Sequence, residues 1–307
     1  MNWKIILLGL TFSVLWASAS TATKIGLQVA QPFVISISRF FIAGLIMLFI
    51  SHVIRRNRMP EKSEWRQLMI FGVLNISVYL GLYIIAMQYI SAGLGSLFIA
   101  VNPVMISFIG AGLFGHRITL INIISLSLCI AGVILAALPL LQNSYATTGG
   151  LLLMVVAMLA YSLGTIYFTR KTWSNLHVLT INGWQTFLGG VFLLPLLLMT
   201  YKEQQNTFDM HFWGGTLWLA GPVSIIAVLC WLQLLNKTPL TAAYWLFLCP
   251  IFGFLISNIT LNEPLSLFTL WGVILVIAGL FLVQRYNKTE LVPQASFLTQ
   301  QKVKVKT

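Results

Sequence analysis

Apolar residues run through this chain in long blocks with few polar interruptions. A hydrocarbon core is about 30 Å thick, and a helix needs roughly 20 apolar residues to cross it. On that scale the pattern predicts ten spanning helices, at 4–27, 33–54, 67–88, 92–114, 118–140, 149–169, 178–200, 212–235, 240–261 and 265–285. The interruptions hold turn-forming or polar residues, among them Gln31-Pro32, His116-Arg117, Gln142-Asn143-Ser144, Lys237-Thr238-Pro239 and Asn262-Glu263-Pro264. Several are so short that the flanking helices must be antiparallel neighbours. The first block, with Lys4, Ile5–Trp16 and then Ala17-Ser18-Ala19, has the layout of a secretory signal and its cleavage site. Its apolar stretch continues past Ala19 and has a counterpart later in the chain, so it is read as a retained first span.

Composition sharpens this picture. The 307 residues are 58% hydrophobic and only 8% charged, against roughly 25% charged in an ordinary soluble domain. So few charges cannot cover a wet surface, and most of the surface must face lipid. The net charge of +12 raises the question of nucleic acid. Its distribution answers that question. With a cytoplasmic N-terminus, 15 of the 18 lysines and arginines fall on the inner side, Lys24 and Lys202 fall outside, and Arg39 lies within a span. This bias orients a membrane protein, so both termini are expected in the cytoplasm and no nucleic-acid partner is expected. Residues 287–307 read as a basic cytoplasmic tail.

The hexapeptide Ile130–Leu135 (IAGVIL) returns as Ile277–Leu282 (IAGLFL) at an offset of 147. Tyr83–Leu135 aligns with Cys230–Leu282 without gaps, bringing Pro103 onto Pro250 and Gly132 onto Gly279. Upstream, Arg39–Gly44 meets Gln185–Gly190 at an offset of 146. Each repeat holds five helices. Five is odd, so the second copy enters the membrane from the opposite face. The expected fold is therefore an all-α membrane protein of ten helices in two inverted-topology repeats. The first repeat is 1–140, the external linker is 141–148 and the second repeat is 149–286.

These stretches resemble the EamA-type members of the drug/metabolite transporter superfamily. The resemblance rests on YIIAMQYISAGLGSLFIAVNPV, LFGHRITL and IAGVIL in the first half, and on NKTPLTAAYWLFLCPI, NEPLSL and IAGLFL in the second. It implies ten helices around a central cavity and export of amino acids, other metabolites or drugs across the bacterial inner membrane. The family's usual glutamate after the fourth helix is replaced here by His116, whereas the second half keeps Glu263. Glu263 precedes Pro264, a residue suited to a first helical turn, so it is expected to start its own helix at the positive dipole end.

Candidate chemistry is sparse and lies inside the spans. Arg39 is the one clearly intramembrane charge, a functional candidate by default. The expected substrate cavity is lined by Trp16, Ser20, Arg39, Asn75, Tyr79, Asn102, Tyr161, Gln185, Trp231 and Tyr244, with Pro103 and Pro250 as hinges for alternating access. Buried amides are costly unless paired or wet, so helix-to-helix bonding is the competing explanation for each. All six acids (Glu61, Glu64, Glu203, Asp209, Glu263 and Glu290) stand outside mid-membrane. Simple proton-for-cation exchange is disfavoured, and neutral, zwitterionic or anionic substrates fit better.

Other classes find little support. The histidines (His52, His116, His177 and His211) sit at helix ends, and no nucleophile set, zinc spacing or phosphate-binding glycine motif is present. Neither an enzyme, a cofactor nor a metal is expected. Cys129, Cys230 and Cys249 lie in apolar runs and read as packing residues. A non-transporting membrane sensor or assembly subunit is the alternative to a transporter. The expected partners are a small-molecule substrate and membrane lipid, with the chain a monomer or weak dimer.

Overall fold

A computed structural model describes residues 3–114, 118–173, 176–237 and 242–286, and among these the chain is helical without strands. Ten helices are long and apolar enough to cross a membrane. They are α1 (Trp3–Leu27), α2 (Pro32–Ile54), α3 (Lys62–Met87), α4 (Ala92–Leu113), α5 (Leu120–Gln142), α6 (Thr148–Arg170), α7 (Val178–Thr200), α8 (Met210–Trp231), α9 (Tyr244–Leu261) and α10 (Leu267–Arg285). The largest departure from the expected boundaries is at α3, which starts five residues before its apolar block. Its charged first turn is stabilised locally. Glu61 and Glu64 form a capping box, and the Arg58 guanidinium donates to both Glu64 oxygens at 2.8 and 2.6 Å. That fork holds the Arg58 pKa above its usual value.

The chain gathers into two compact units, and each draws on both halves of the sequence. The first comprises Met1–Thr21, Tyr89–Leu151 and Ile226–Thr307, and the second comprises Ala22–Gln88 and Leu152–Ile225. Residues matched by the internal repeat pack against one another within each unit. In the first, α5 packs on α10. A Cβ on Gly132 would stand 2.6 Å from the Gly272 carbonyl oxygen, and one on Gly279 would stand 2.7 Å from the Ser125 carbonyl oxygen. At the offset of 147, Ser125 is the mate of Gly272 and Gly132 the mate of Gly279, so the two contacts are exchanged copies. Cys129, whose mate is Val276, lies 3.8 Å from the Val276 carbonyl. Stepping seven residues back on α5 steps seven forward on α10, so the helices are antiparallel. Exchanged contacts between antiparallel mates are the signature of a two-fold axis perpendicular to the helices, which is an inverted repeat.

The second unit repeats the device. There α2 packs on α7. A Cβ on Gly44 would meet the Phe187 backbone at 3.0 Å, and one on Gly190 would meet the Phe41 ring at 3.3 Å. Phe41 and Phe187 are mates at the offset of 146 and touch each other with centroids 5.4 Å apart. Small residues at both seams let the helices approach to backbone contact, the usual source of helix affinity in lipid.

Two expectations change. Glu263 does not start its own helix, since α10 begins at Leu267. Its buried carboxylate instead accepts Ala92 N–H at 2.6 Å and Gly93 N–H at 3.1 Å, and Ser91 Oγ takes Leu94 N–H at 3.2 Å. It neutralises the first turn of α4, where the orphan donors of the helix converge. The prolines also differ from each other. Pro103 lies inside continuous α-helix. Pro250 lies in the first turn of Leu248–Leu261, just after the 3-10 turn Ala243–Phe247, where a missing N–H costs little. His116 lies outside the described residues.

Candidate functional site

The second unit holds Arg39, Asn75, Tyr79, Tyr161 and Gln185, and the first holds Trp16, Ser20, Asn102, Trp231 and Tyr244, along with Pro103 and Pro250. In the first unit, the Phe12 ring stacks on Trp231 at 4.8 Å and lies 5.7 Å from Trp16, which makes one aromatic row. Ser20 and Asn102 are buried. Tyr244 is 46% exposed, beside Phe247 at 5.7 Å.

The second unit carries a feature that hydrophobic pattern does not show. Three stretches have π-helical winding, Phe49–Ile54 at the end of α2, Val73–Val78 within α3 and Leu219–Ala227 within α8, the last ending two residues into the first unit. Val73 and Leu219 are mates at the offset of 146, so the α3 and α8 bulges begin at the same place in each repeat. π-bulges displace a backbone turn and often mark functional positions.

Each of these two mated bulges is reached by a polar residue from a neighbouring helix. The Arg39 guanidinium donates to Ser224 Oγ from Nε at 3.3 Å and Nη2 at 3.2 Å. Ser224 passes its own hydrogen to the Leu219 carbonyl at 2.8 Å. On the other side, Asn75 Nδ2 donates to Gln185 Oε1 at 3.2 Å, and Gln185 Nε2 donates to Asn182 Oδ1 at 2.7 Å. Gln185 is the repeat mate of Arg39, so α2 and α7 do corresponding jobs, one with a charge and one with an amide. The two amides thus belong to a bonded network, as the helix-to-helix explanation requires.

Tyrosines complete the cluster. Tyr79 stacks on Tyr161 at 4.6 Å with planes 13° apart, and Tyr83 meets Tyr79 edge-on at 6.0 Å. Tyr79 and Tyr83 lie near enough to feel the Arg39 charge. Along α3 and α6 the contacts Phe71–Phe168, Asn75–Gly164 and Tyr79–Tyr161 form an antiparallel ladder. Among the described residues no carboxylate lies within 4 Å of Arg39. Its charge is oriented by a neutral hydroxyl and left uncompensated.

The EamA-like transporter family model matches the chain twice, over residues 3–138 and 148–285. The chain belongs to the EamA-like transporter family. An Archaeoglobus fulgidus protein named an uncharacterized transporter is 28% identical over 92% of this chain and 99% of its own length. The Bacillus subtilis uncharacterized transporter YvbV is 25% identical over 90% of each chain, and protein PecM of Dickeya dadantii is 25% identical over 88% of each. A solved crystal structure with 16% identity superposes with a TM-score of 0.64, covering 92% of this chain and 97% of the other, and supports the fold. The protein is thus a multi-pass membrane transporter of the EamA type and not an enzyme.

The sequence pointed to Arg39, Asn75, Tyr79, Tyr161 and Gln185. It missed Ser224, Asn182, Tyr83 and the bulges. Pro222, inside the α8 bulge, was the one local signal.

Proposed function

We propose that this protein is a secondary transporter that exports small amino-acid-like metabolites or drugs with an anionic or zwitterionic end across the bacterial inner membrane by alternating access. The observation that carries the reading is Arg39. A guanidinium within a membrane span, aimed by Ser224 and lacking a carboxylate partner among the described residues, is arranged to receive one. The Tyr79–Tyr161 stack offers a flat apolar face beside it, and the Asn75–Gln185 pair offers amide groups to orient a polar substituent. Trp16, Ser20, Asn102, Trp231 and Tyr244 remain proposed cavity residues of the first unit, with Pro103 and Pro250 as proposed hinges. Inner-membrane location and the outward direction rest on the family resemblance, and cytoplasmic termini rest on the lysine and arginine bias.

Counterflow in proteoliposomes with a panel of labelled amino acids, organic acids and cations tests the substrate class. Exchange of anionic or zwitterionic compounds is expected. Exchange of cations alone would overturn the reading. Orientation is tested on intact cells with Gln205→Cys, since the three native cysteines are buried. Labelling by an impermeant thiol reagent added outside is expected, because residue 205 lies in the α7–α8 connection.

A further inference from the structure

A second polar feature lies far from Arg39, at the membrane face where α3 begins and α6 ends. A cleft of about 600 Å³ opens there, lined by Lys62, Ser63, Arg66 and Gln67 of α3 and by Tyr167 and Lys171 at the end of α6. Lys62, Arg66 and Ile70 follow one another at i, i+4 and i+8, so they form a single stripe on α3. Ile70 also lines the cleft. At 1.5 Å per residue it lies about 12 Å deeper along the helix than Lys62. On α6 the Lys171 ammonium rests 5.3 Å from the Tyr167 ring centroid, which holds it at the cleft.

The charges here are not neutralised locally. The nearby acids, Glu61 and Glu64, are both engaged by Arg58. Among the described residues no carboxylate lies within 4 Å of Lys62, Arg66 or Lys171. The side-chain oxygen of Gln67 is buried and accepts no hydrogen bond. The cleft therefore presents three cations, a serine hydroxyl and an acceptor without a donor, and beneath them the exposed apolar side chains Met69 and Ile70.

We infer that this cleft binds the headgroup of an anionic phospholipid. The cations take the phosphodiester oxygens, the Gln67 oxygen accepts a headgroup hydroxyl, and the acyl chains run down over Ile70 and Met69. The vertical order of cation, cation and apolar residue on one stripe matches a lipid, with charge at the surface and hydrocarbon below. A free phosphate has no use for the apolar floor. Basic pockets between spanning helices are a physical match to glycerophosphate headgroups. Occupancy ties the start of α3 to the end of α6, on the same ladder that carries Asn75 and Tyr79 toward mid-membrane.

The test uses the purified full-length protein in detergent, with thermal unfolding as the readout. Tetraoleoyl cardiolipin is expected to raise the melting temperature by about 4 °C, while dioleoyl phosphatidylcholine and inorganic phosphate leave it unchanged. The Lys62→Gln/Arg66→Gln/Lys171→Gln variant should melt as the wild type does without lipid and lose the cardiolipin shift. An undiminished shift in that variant, an equal shift with phosphatidylcholine, or the same shift with phosphate alone would overturn the lipid site. If the triple variant does not fold, Lys171→Gln decides by native mass spectrometry. Fewer retained cardiolipin molecules than wild type supports the site, and equal retention refutes it.

Discussion

The α5–α10 seam and the α2–α3–α7–α8 cluster both lie among apolar spanning helices of one chain, yet the bonds that cross them differ. At the α5–α10 seam, Gly132, Gly272 and Gly279 bring backbone onto backbone. The contacts at these three glycines are packing contacts, although both helices also bury polar side chains, Asn122 and Ser125 on α5 and Gln284 on α10. In the cluster, Arg39 with Ser224 and Asn75 with Gln185 are bonded across helices inside hydrocarbon, and Gln185 donates to Asn182 on its own helix. The α2–α7 pair already has close glycine packing at Gly44 and Gly190, so it does not need polar residues to associate. Polar groups in lipid cost several kcal/mol when they lose their partners. The glycine packing is available to hold the mated helices, and in the proposed function the cation and the amides beside the α3 and α8 bulges serve transport.

The largest expected effect falls on the packing seam. Gly272→Leu drives a side chain into the Gly132 carbonyl and Ala136. Its cost should exceed the roughly 1–3 kcal/mol typical of overpacking, because the obstacle is backbone. Monodisperse protein on fluorescence-detected size exclusion should largely disappear. Normal yield and melting would mean that the seam is not a structural core.

Glu263→Gln should cost less. It removes a charge from the first turn of α4 and leaves one of two N–H groups without its carboxylate oxygen, a loss of about 1–3 kcal/mol. Thermal melting at neutral pH should show a lower midpoint with fold and oligomeric state retained. A midpoint equal to wild type would return Glu263 to a purely local role.

The smallest effect concerns His177, the N-cap of α7, whose Nδ1 accepts Leu179 N–H at 3.1 Å. Burial, with help from the Arg55 charge, holds its pKa below the ordinary histidine value. The neutral ring is the one that caps, so its contribution is complete above about pH 6.5 and is lost as pH falls through the lower folded-state value. Lowering the pH from 8 to 5 should cost the wild type about 0.5–1 kcal/mol more than His177→Asn, which caps without titrating. Parallel pH profiles for the two proteins would contradict this.

The spanning helices were legible because lipid thickness and helical rise impose a length that composition must fill. The repeat was legible because mates at the two seams need small residues at fixed places, and Gly132 with Gly279 shows that need directly. Arg39 and Gln185 stood out as rare polar residues in apolar runs. Ser224 did not, since a serine in a spanning helix is unremarked until its partner is seen, and that partner lies 185 residues away. The bulges at Val73–Val78 and Leu219–Ala227 were hidden for a related reason. Their winding leaves no hydrophobic period to read, and Pro222 alone marks one of them. Glu263 was misread because its nearest sequence signal, Pro264, pointed to a local cap, whereas its partners Ala92 and Gly93 come from the other repeat.

Arg39→Gln offers the most direct test of the claim that the polar cluster serves transport and the glycine seams serve the fold. Glutamine retains a donor for Ser224 and is the residue found at the mated position, so the fold should tolerate it. Counterflow of the best substrate in proteoliposomes should fall at least about tenfold, the loss of one charge-assisted contact of roughly 1.4 kcal/mol or more, with the melting temperature close to wild type. Wild-type counterflow, or a loss of activity that only tracks a loss of folded protein, would show that Arg39 holds helices together and does not hold substrate.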